Sequence, residues 1–149
     1  FAEHEVVKTY HALVQGNLKE NKATIEAPIG RAKVSDFRFC VTPAGKEAIT
    51  HWDVMERFGE ATLVSVNLET GRTHQVRVHM ASIGHALLGD PTYGRPHAKL
   101  RPVLSALGFR RQALHAAVLG FVHPGSGETI RFESELPLDM RELIDETTR

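Results

Sequence analysis

The sequence contains only one cysteine, Cys40, among its 149 residues. A single thiol cannot form an intramolecular disulfide, which excludes a disulfide-stabilised scaffold and favours a reducing compartment. We therefore expect a cytoplasmic protein. Apolar stretches also stay well short of the eighteen or more consecutive residues that a membrane-spanning helix needs, so we expect no membrane partner.

The chain also lacks a net charge, because 18 Lys and Arg residues balance 18 Asp and Glu residues. A neutral sum argues against a general polyanion binder. The charges are segregated, however. Residues 71–115 hold seven Lys and Arg against the single acid Asp90, whereas residues 124–149 hold three against seven acids. This distribution fits one cationic face with salt-dependent binding to phosphates, although an ordinary mosaic surface fits the same numbers.

Alternating apolar and polar residues predict strands along much of the chain. The predicted strands are residues 5–15, 37–41, 48–58, 61–68, 114–122 and 129–132. Residues 17–33 show little periodicity and are predicted to be a loop with a turn at 27–30. No linker or repeat divides the chain, and 42% apolar residues are enough for one core. We expect an α+β domain with a mixed, mainly antiparallel sheet and flanking helices.

Three helices are predicted besides these strands. The central helix covers residues 73–83, with Thr73 as its N-cap. Its predicted buried face consists of Val76, Met80 and Ile83. A short helix is predicted over residues 102–108, and a last helix opens at residue 137. The predicted buried face of the last helix consists of Met140, Leu143 and Ile144.

Cationic and polar side chains gather at the start of the central helix. They are Arg72, His74, Gln75 and Arg77. A helix N-terminus already carries unsatisfied N–H groups and a partial positive charge, so cations there are unfavourable unless an anion binds. The pattern therefore predicts an anion site. The alternative is that Arg72 and Arg77 pair with surface carboxylates such as Glu69.

The same stretch resembles the signature of RluA-type RNA pseudouridine synthases. In this chain the signature consists of Gly71-Arg72-Thr73-His74-Gln75-Val76-Arg77-Val78-His79-Met80 and Gly89-Asp90-Pro91-Thr92-Tyr93-Gly94. Residues 8–14, 45–50 and 111–116 extend the resemblance. It implies a pseudouridine-synthase-like domain that isomerises uridine in structured RNA without a cofactor or metal. Large-subunit ribosomal RNA is the expected substrate, and transfer RNA is the alternative.

The resemblance also implies roles for individual residues. Tyr10 stands at the tyrosine of the family's Lys-x-Tyr segment and is expected to stack on a flipped uracil and to assist proton removal from it. From the residue pattern alone, Tyr10 would be a half-buried strand tyrosine. Arg77 matches the arginine that keeps the catalytic aspartate ionised. The residues expected to bind RNA are Arg72, His74, Gln75, Arg95, Lys99 and Arg101, of which the first three could instead shape the helix start or support the catalytic pair.

One part of the family pattern is missing, since the chain contains no Arg-Leu-Asp motif to supply the catalytic aspartate. We expect residues 1–149 to be the C-terminal part of a longer catalytic domain, inactive alone, with strand 6–14 left as a bare sheet edge. Asp90 in Gly-Asp-Pro is interpreted as a turn or capping residue. The other aspartates lie in surface or helix-start contexts and are not convincing substitutes.

The residues also bear on other function classes. A non-catalytic RNA-binding module, built on the same basic face, is the main alternative. A zinc site is disfavoured, because the four histidines between residues 74 and 97 form no His-Glu-x-x-His pattern and no cysteine pair exists. Nucleoside triphosphate chemistry is not indicated, because Ala44-Gly45-Lys46 lacks the upstream glycine of a phosphate loop.

Overall fold

The computed structural model describes residues 5–32, 38–122 and 125–148. Within these ranges the chain forms strands and helices that confirm the α+β class. The strands are β1 (Glu5–Gln15), β2 (Lys22–Glu26), β3 (Ile29–Arg31), β4 (Phe39–Val41), β5 (Ile49–Arg57), β6 (Ala61–Leu68), β7 (Leu114–Val122) and β8 (Thr129–Glu133). The helices are α1 (Gln75–Ser82), α2 (Arg101–Leu107) and α3 (Leu138–Thr147). Among the described helices, none has the length and apolar character to span a membrane.

Six strands form one sheet in the order β2-β5-β6-β1-β7-β8, and β3 pairs with β4 separately. Every neighbouring pair is antiparallel. Strand β1 lies inside the sheet, where Tyr10 pairs with Val66 of β6 on one side and with Ala116 of β7 on the other. The prediction that strand 6–14 would be a bare edge is therefore wrong, because β7 of this chain occupies the side that had been assigned to an absent segment.

The sheet carries helices on both faces, and β1 contributes to both cores. Successive residues of a strand point to opposite faces. Accordingly Ala12 and Val14 pack with Val76 and Met80 of α1, whereas Leu13 packs in the cluster that α2 and α3 cover. All three β1 side chains are fully buried. Strand β1 is thus the layer that α1 and the α2–α3 pair share.

The predicted loop 17–33 is wrong in part, because it contains β2 and β3. Its periodicity was weak for a physical reason: β2 is an edge strand that buries only Ile25. Ile29 and Gly30, predicted to lie in a turn, belong to β3 instead. The predicted strand 37–41 is observed as β4, and Phe37 lies outside the described residues.

Helix α1 begins two residues later than predicted. Its N-cap is His74, in the left-handed conformation with φ 56°, so the prediction of Thr73 as N-cap is wrong. Ile83 follows the last helical residue and is 38% exposed, not buried as predicted. The β3–β4 hairpin packs on the side of α1 away from the sheet, through Ile29, Phe39 and Val78. Enclosed on two sides, α1 needs protein partners for its own polar side chains.

The first prediction tests the interior position of β1. Replacing Leu13 by alanine is expected to lower the free energy of unfolding by about 2–5 kcal/mol, because a fully buried leucine leaves a cavity. Leu138→Ala is the matched control, since Leu138 is 64% exposed and its loss should cost less than about 0.5 kcal/mol. Urea unfolding of both variants measures the difference, and equal losses would contradict an interior β1.

Candidate active site

A buried ion pair joins α1 to the loop that follows it. Nε and Nη2 of Arg77 each donate a hydrogen bond of 2.9 Å to a different carboxylate oxygen of Asp90. The Asp90 side chain is 0% exposed and that of Arg77 10%. One Asp90 oxygen also accepts the backbone N–H groups of Thr92 and Tyr93, at 2.9 and 3.1 Å. Asp90 is therefore the turn residue that was expected and, in addition, the partner of Arg77.

The surroundings keep both members of the pair charged. Burial alone would raise the pKa of Asp90, but the hydrogen bonds from Arg77 and from the two backbone N–H groups outweigh it and lower that pKa. The hydrogen bond with Asp90 outweighs burial for Arg77 and raises its pKa. The alternative that Arg77 pairs with a surface carboxylate such as Glu69 is wrong, because the carboxylate that Arg77 contacts is the buried Asp90.

Tyr93 connects this pair to two other segments. Its ring lies 5.0 Å from the guanidinium carbon of Arg77, at cation–π distance. Its hydroxyl accepts the backbone N–H of Phe39 at 3.1 Å and lies 2.7 Å from Nδ1 of His74. Burial lowers the pKa of His74, and the nearby charge of Arg77 lowers it further. The neutral imidazole can therefore accept a hydrogen bond from the Tyr93 hydroxyl. Tyr93 thereby ties the loop to β4 and to the start of α1.

Gly89 allows the loop that carries Asp90 to pack closely against the backbone of Arg111. Its φ is +74°, which L side chains rarely adopt. A Cβ at this position would also lie 2.2 Å from the carbonyl oxygen of Arg111. A side chain here would therefore force either the loop that carries Asp90 or the neighbouring Arg111 backbone to shift.

Gln75 has a structural role at the start of α1. Its side chain accepts hydrogen bonds from the Thr70 hydroxyl at 2.7 Å and the Arg72 N–H at 3.0 Å. It donates to the carbonyl of Ile49 at 3.0 Å and to the hydroxyl of Thr50 at 2.9 Å. The residue is 2% exposed, and all four bonds of its amide are used. These bonds fit the alternative that Gln75 shapes the helix start, and its contact with RNA stays a prediction.

Arg72 and His74 lie beside a cavity between the β3–β4 hairpin and the start of α1. Arg72 donates from Nε to the carbonyl of Glu47 at 2.6 Å. It lines a cavity of about 490 Å³ together with Arg31 and Lys46. His74 packs edge-on against Phe39, which lines the same cavity. The predicted anion site therefore has cations around it, and RNA binding by Arg72 and His74 stays a prediction.

Tyr10 lies half-buried on β1, on the sheet face that α1 covers. Burial raises its pKa, so its hydroxyl keeps the proton at neutral pH. Among the described residues, no hydrogen bond or ring contact joins Tyr10 to Arg77. The structure brings both residues to one side of the sheet but leaves their catalytic roles as predictions.

The other expected RNA ligands are exposed: Arg95 and Lys99 lie between residue 94 and α2, and Arg101 is the first residue of α2. Gln15 fixes this stretch, since its side chain donates to the Arg95 carbonyl at 2.9 Å and accepts the His97 N–H at 2.8 Å. Lys99 contacts Glu60 at 3.3 Å. Their binding to RNA stays a prediction.

The buried histidine of α1 is part of a hydrogen-bond chain. The Thr50 hydroxyl lies 2.7 Å from Nδ1 of His79, and Nε2 of His79 lies 2.8 Å from the Ala27 carbonyl. Burial lowers the pKa of His79, which fits a neutral ring that accepts at one nitrogen and donates at the other. In the part of the chain that the structure describes, no three His, Cys, Asp or Glu side chains gather to hold a metal.

Comparisons with known proteins agree with the sequence resemblance. A family model described as RNA pseudouridylate synthase matches residues 1–82. Ribosomal large subunit pseudouridine synthase D of Zymomonas mobilis is 46% identical over 146 residues, which are 97% of this chain and 46% of that protein. An uncharacterized RNA pseudouridine synthase of Bacillus subtilis is 51% identical over 140 residues, 94% of this chain and 44% of that protein. The chain spans about half the length of the curated relatives it matches.

Solved structures support the same fold. Human RNA Pseudouridylate Synthase Domain Containing 1 matches with a TM-score of 0.68 and 30% identity, over 86% of this chain and 54% of that chain. Human RNA Pseudouridylate Synthase Domain Containing 4 matches with a TM-score of 0.74 over 95% of this chain and 62% of that chain. At 20% identity, the second match is informative about the fold alone.

The second prediction measures the buried pair. Asp90→Asn is expected to cost about 3–5 kcal/mol of unfolding free energy at pH 7, because the Arg77 charge is then buried without compensation. Asp139→Asn is the matched control: Asp139 forms the same two-bond pair with Arg111, but both side chains are 40% or more exposed, and about 0.2–1 kcal/mol is expected.

The difference in unfolding free energy between the unmodified chain and Asp90→Asn should depend on pH. The pKa of Asp90 is lowered in the folded state, so its stabilisation is complete above the ordinary carboxyl pKa of about 4 and is lost as the pH falls through the lower folded-state value. Urea unfolding between pH 3 and 7 should show the gap between the unmodified chain and Asp90→Asn narrowing below about pH 4. A gap that widened as the pH fell would contradict an ionised Asp90.

Proposed function

Because this chain belongs to the RNA pseudouridylate synthase family, we propose that it is the C-terminal portion of an enzyme that isomerises uridine to pseudouridine in structured RNA. The observation that carries the proposal is the family match over residues 1–82, which includes both Tyr10 and Arg77. The remainder of such an enzyme would supply the catalytic aspartate, since this chain contains no Arg-Leu-Asp motif.

The proposed reaction breaks the N-glycosidic bond of the target uridine, turns the uracil and joins it to the ribose through carbon. The base must first leave the RNA stack, and an aromatic wall stabilises the flipped base. Tyr10 offers its ring for this purpose. Because its raised pKa keeps the hydroxyl protonated, stacking is favoured over the expected assistance in proton removal.

Arg77 is suited to a second carboxylate. Asp90 occupies Nε and Nη2, while Nη1 has no partner among the described residues. We propose that the catalytic aspartate meets the guanidinium there, where the positive charge would keep it ionised inside a closed cleft. Asp90 itself is unsuited to attack, because it is fully buried and its oxygens already accept four hydrogen bonds.

The proposed substrate is large-subunit ribosomal RNA, with transfer RNA as the alternative. Several relatives carry the ribosomal large subunit in their names. A cytoplasmic location belongs to the same proposal and is supported by the single cysteine. The competing function is a non-catalytic RNA-binding module on the same fold.

The third prediction separates these two functions. The full-length protein is expected to form pseudouridine in ribosomal RNA, which carbodiimide adduct mapping detects at single nucleotides. The 149-residue chain alone should form none in a single-turnover assay, because it contains no Arg-Leu-Asp motif to supply the aspartate that starts the reaction. A deletion strain that lost no pseudouridine would favour the binding module. Activity of the chain alone would direct the search to Asp90, tested with Asp90→Asn.

The fourth prediction concerns Tyr10 in the full-length protein. Tyr10→Phe should retain most of the activity, because the aromatic face remains. Tyr10→Ala should lower kcat/KM by roughly 5- to 150-fold, the equivalent of about 1–3 kcal/mol for one stacked base. Far-UV circular dichroism and urea midpoints serve as folding controls. Equal losses in both variants would mean that the hydroxyl carries the role instead.

A further inference from the structure

A cavity of about 510 Å³ lies between the 89–96 loop and α2, and Asp90 is one of the residues that line it. Leu87, Leu104 and Phe109 line it and are 8% exposed or less, so they form an apolar floor. Arg101, Ser105 and Arg110 also line it and are exposed, so they form a polar rim. An apolar floor with a cationic rim matches a ligand that has both a flat apolar part and negative charge.

The rim arginines have no ion-pair partner among the described residues. Three other cations of residues 71–115 form ion pairs: Arg77 with Asp90, Lys99 with Glu60 and Arg111 with Asp139. Among the described residues, Asp90 is the one acid that lines the cavity, and Arg77 already neutralises it. The cavity therefore carries an uncompensated positive charge that favours an anion.

The two arginines lie at opposite ends of α2. Arg101 opens α2 and Arg110 follows its end, so they flank a helix of seven residues. At 1.5 Å per residue the helix axis between them is roughly 10 Å long. Successive phosphates of a nucleic-acid strand can meet both guanidinium groups while the base between them covers the apolar floor, whereas a single phosphate would leave that floor empty.

We propose that this cavity binds a nucleotide of a single-stranded segment of the RNA substrate, outside the target uridine. The base lies on Leu104 and Phe109, and the phosphates on either side contact Arg101 and Arg110. The site is separate from the stacking position, because Gln15 in the cavity wall is five residues along β1 from Tyr10, roughly 16 Å at strand rise. Phosphate contacts at this distance would fix the register of the strand relative to the target. The proposal depends on RNA being the substrate.

The test measures binding of the full-length protein to an RNA fragment that it modifies, as a function of salt. For single strands, each neutralised phosphate makes the plot of log affinity against log salt steeper by about 0.7. The double variant Arg101→Gln, Arg110→Gln should therefore bind with a slope that is shallower by roughly 1.4. Its KM for RNA should rise by roughly tenfold or more. Arg141→Gln is the matched control, an exposed arginine that does not line the cavity, and its slope should stay unchanged.

A second variant tests the cavity without changing charge. Ser105→Phe fills the space above the apolar floor, so affinity should fall while the salt slope is retained. Unchanged affinity in Ser105→Phe, or a slope in the double variant equal to that of Arg141→Gln, would overturn the proposal. Absence of any pseudouridine formation by the unmodified protein would instead overturn the proposed function, and the slope measurement on bound RNA would still decide the cavity.

Discussion

The buried pair of Arg77 and Asp90 is the interaction on which the arrangement of the site depends. It joins α1 to the following loop, and through Tyr93 it also fixes β4 and the start of α1. Such a pair contributes little net stability compared with apolar packing, but removing one partner is costly. The pair holds the guanidinium of Arg77 in one orientation, and the Tyr93 ring packs against the guanidinium in that orientation.

Much of the fold follows from local patterns in the sequence. Alternation predicted the long strands of the sheet correctly because each buries one face or lies between two helical layers. It failed for β2, whose edge position leaves little apolar pattern, and for the environment of β1. The partners of β1 are remote in sequence, with His11 opposite both Ser65 and His115, and no local pattern contains that information.

The candidate site was predicted less completely than the fold. The cluster at the start of α1 suggested an electrostatic conflict, which the protein resolves for Arg77 by burying Asp90 beside it, while Gln75 satisfies neighbouring polar groups with four hydrogen bonds. One signal for the Arg77 partner was present: Asp90 is the only acid among residues 71–115. Its pairing required a loop geometry, set by Gly89, that residue types alone do not reveal.

The interior position of β1 also has a consequence for the order of events during synthesis. β1 leaves the ribosome long before β7, so its second edge stays unpaired while the intervening hundred or so residues are made. The hairpin of β5 and β6 can form early, but closing the sheet requires contacts across most of the chain, which slows folding. During this interval the unpaired edge of β1 can form hydrogen bonds with other nascent chains. This is the stage at which a chaperone would protect the chain from aggregation.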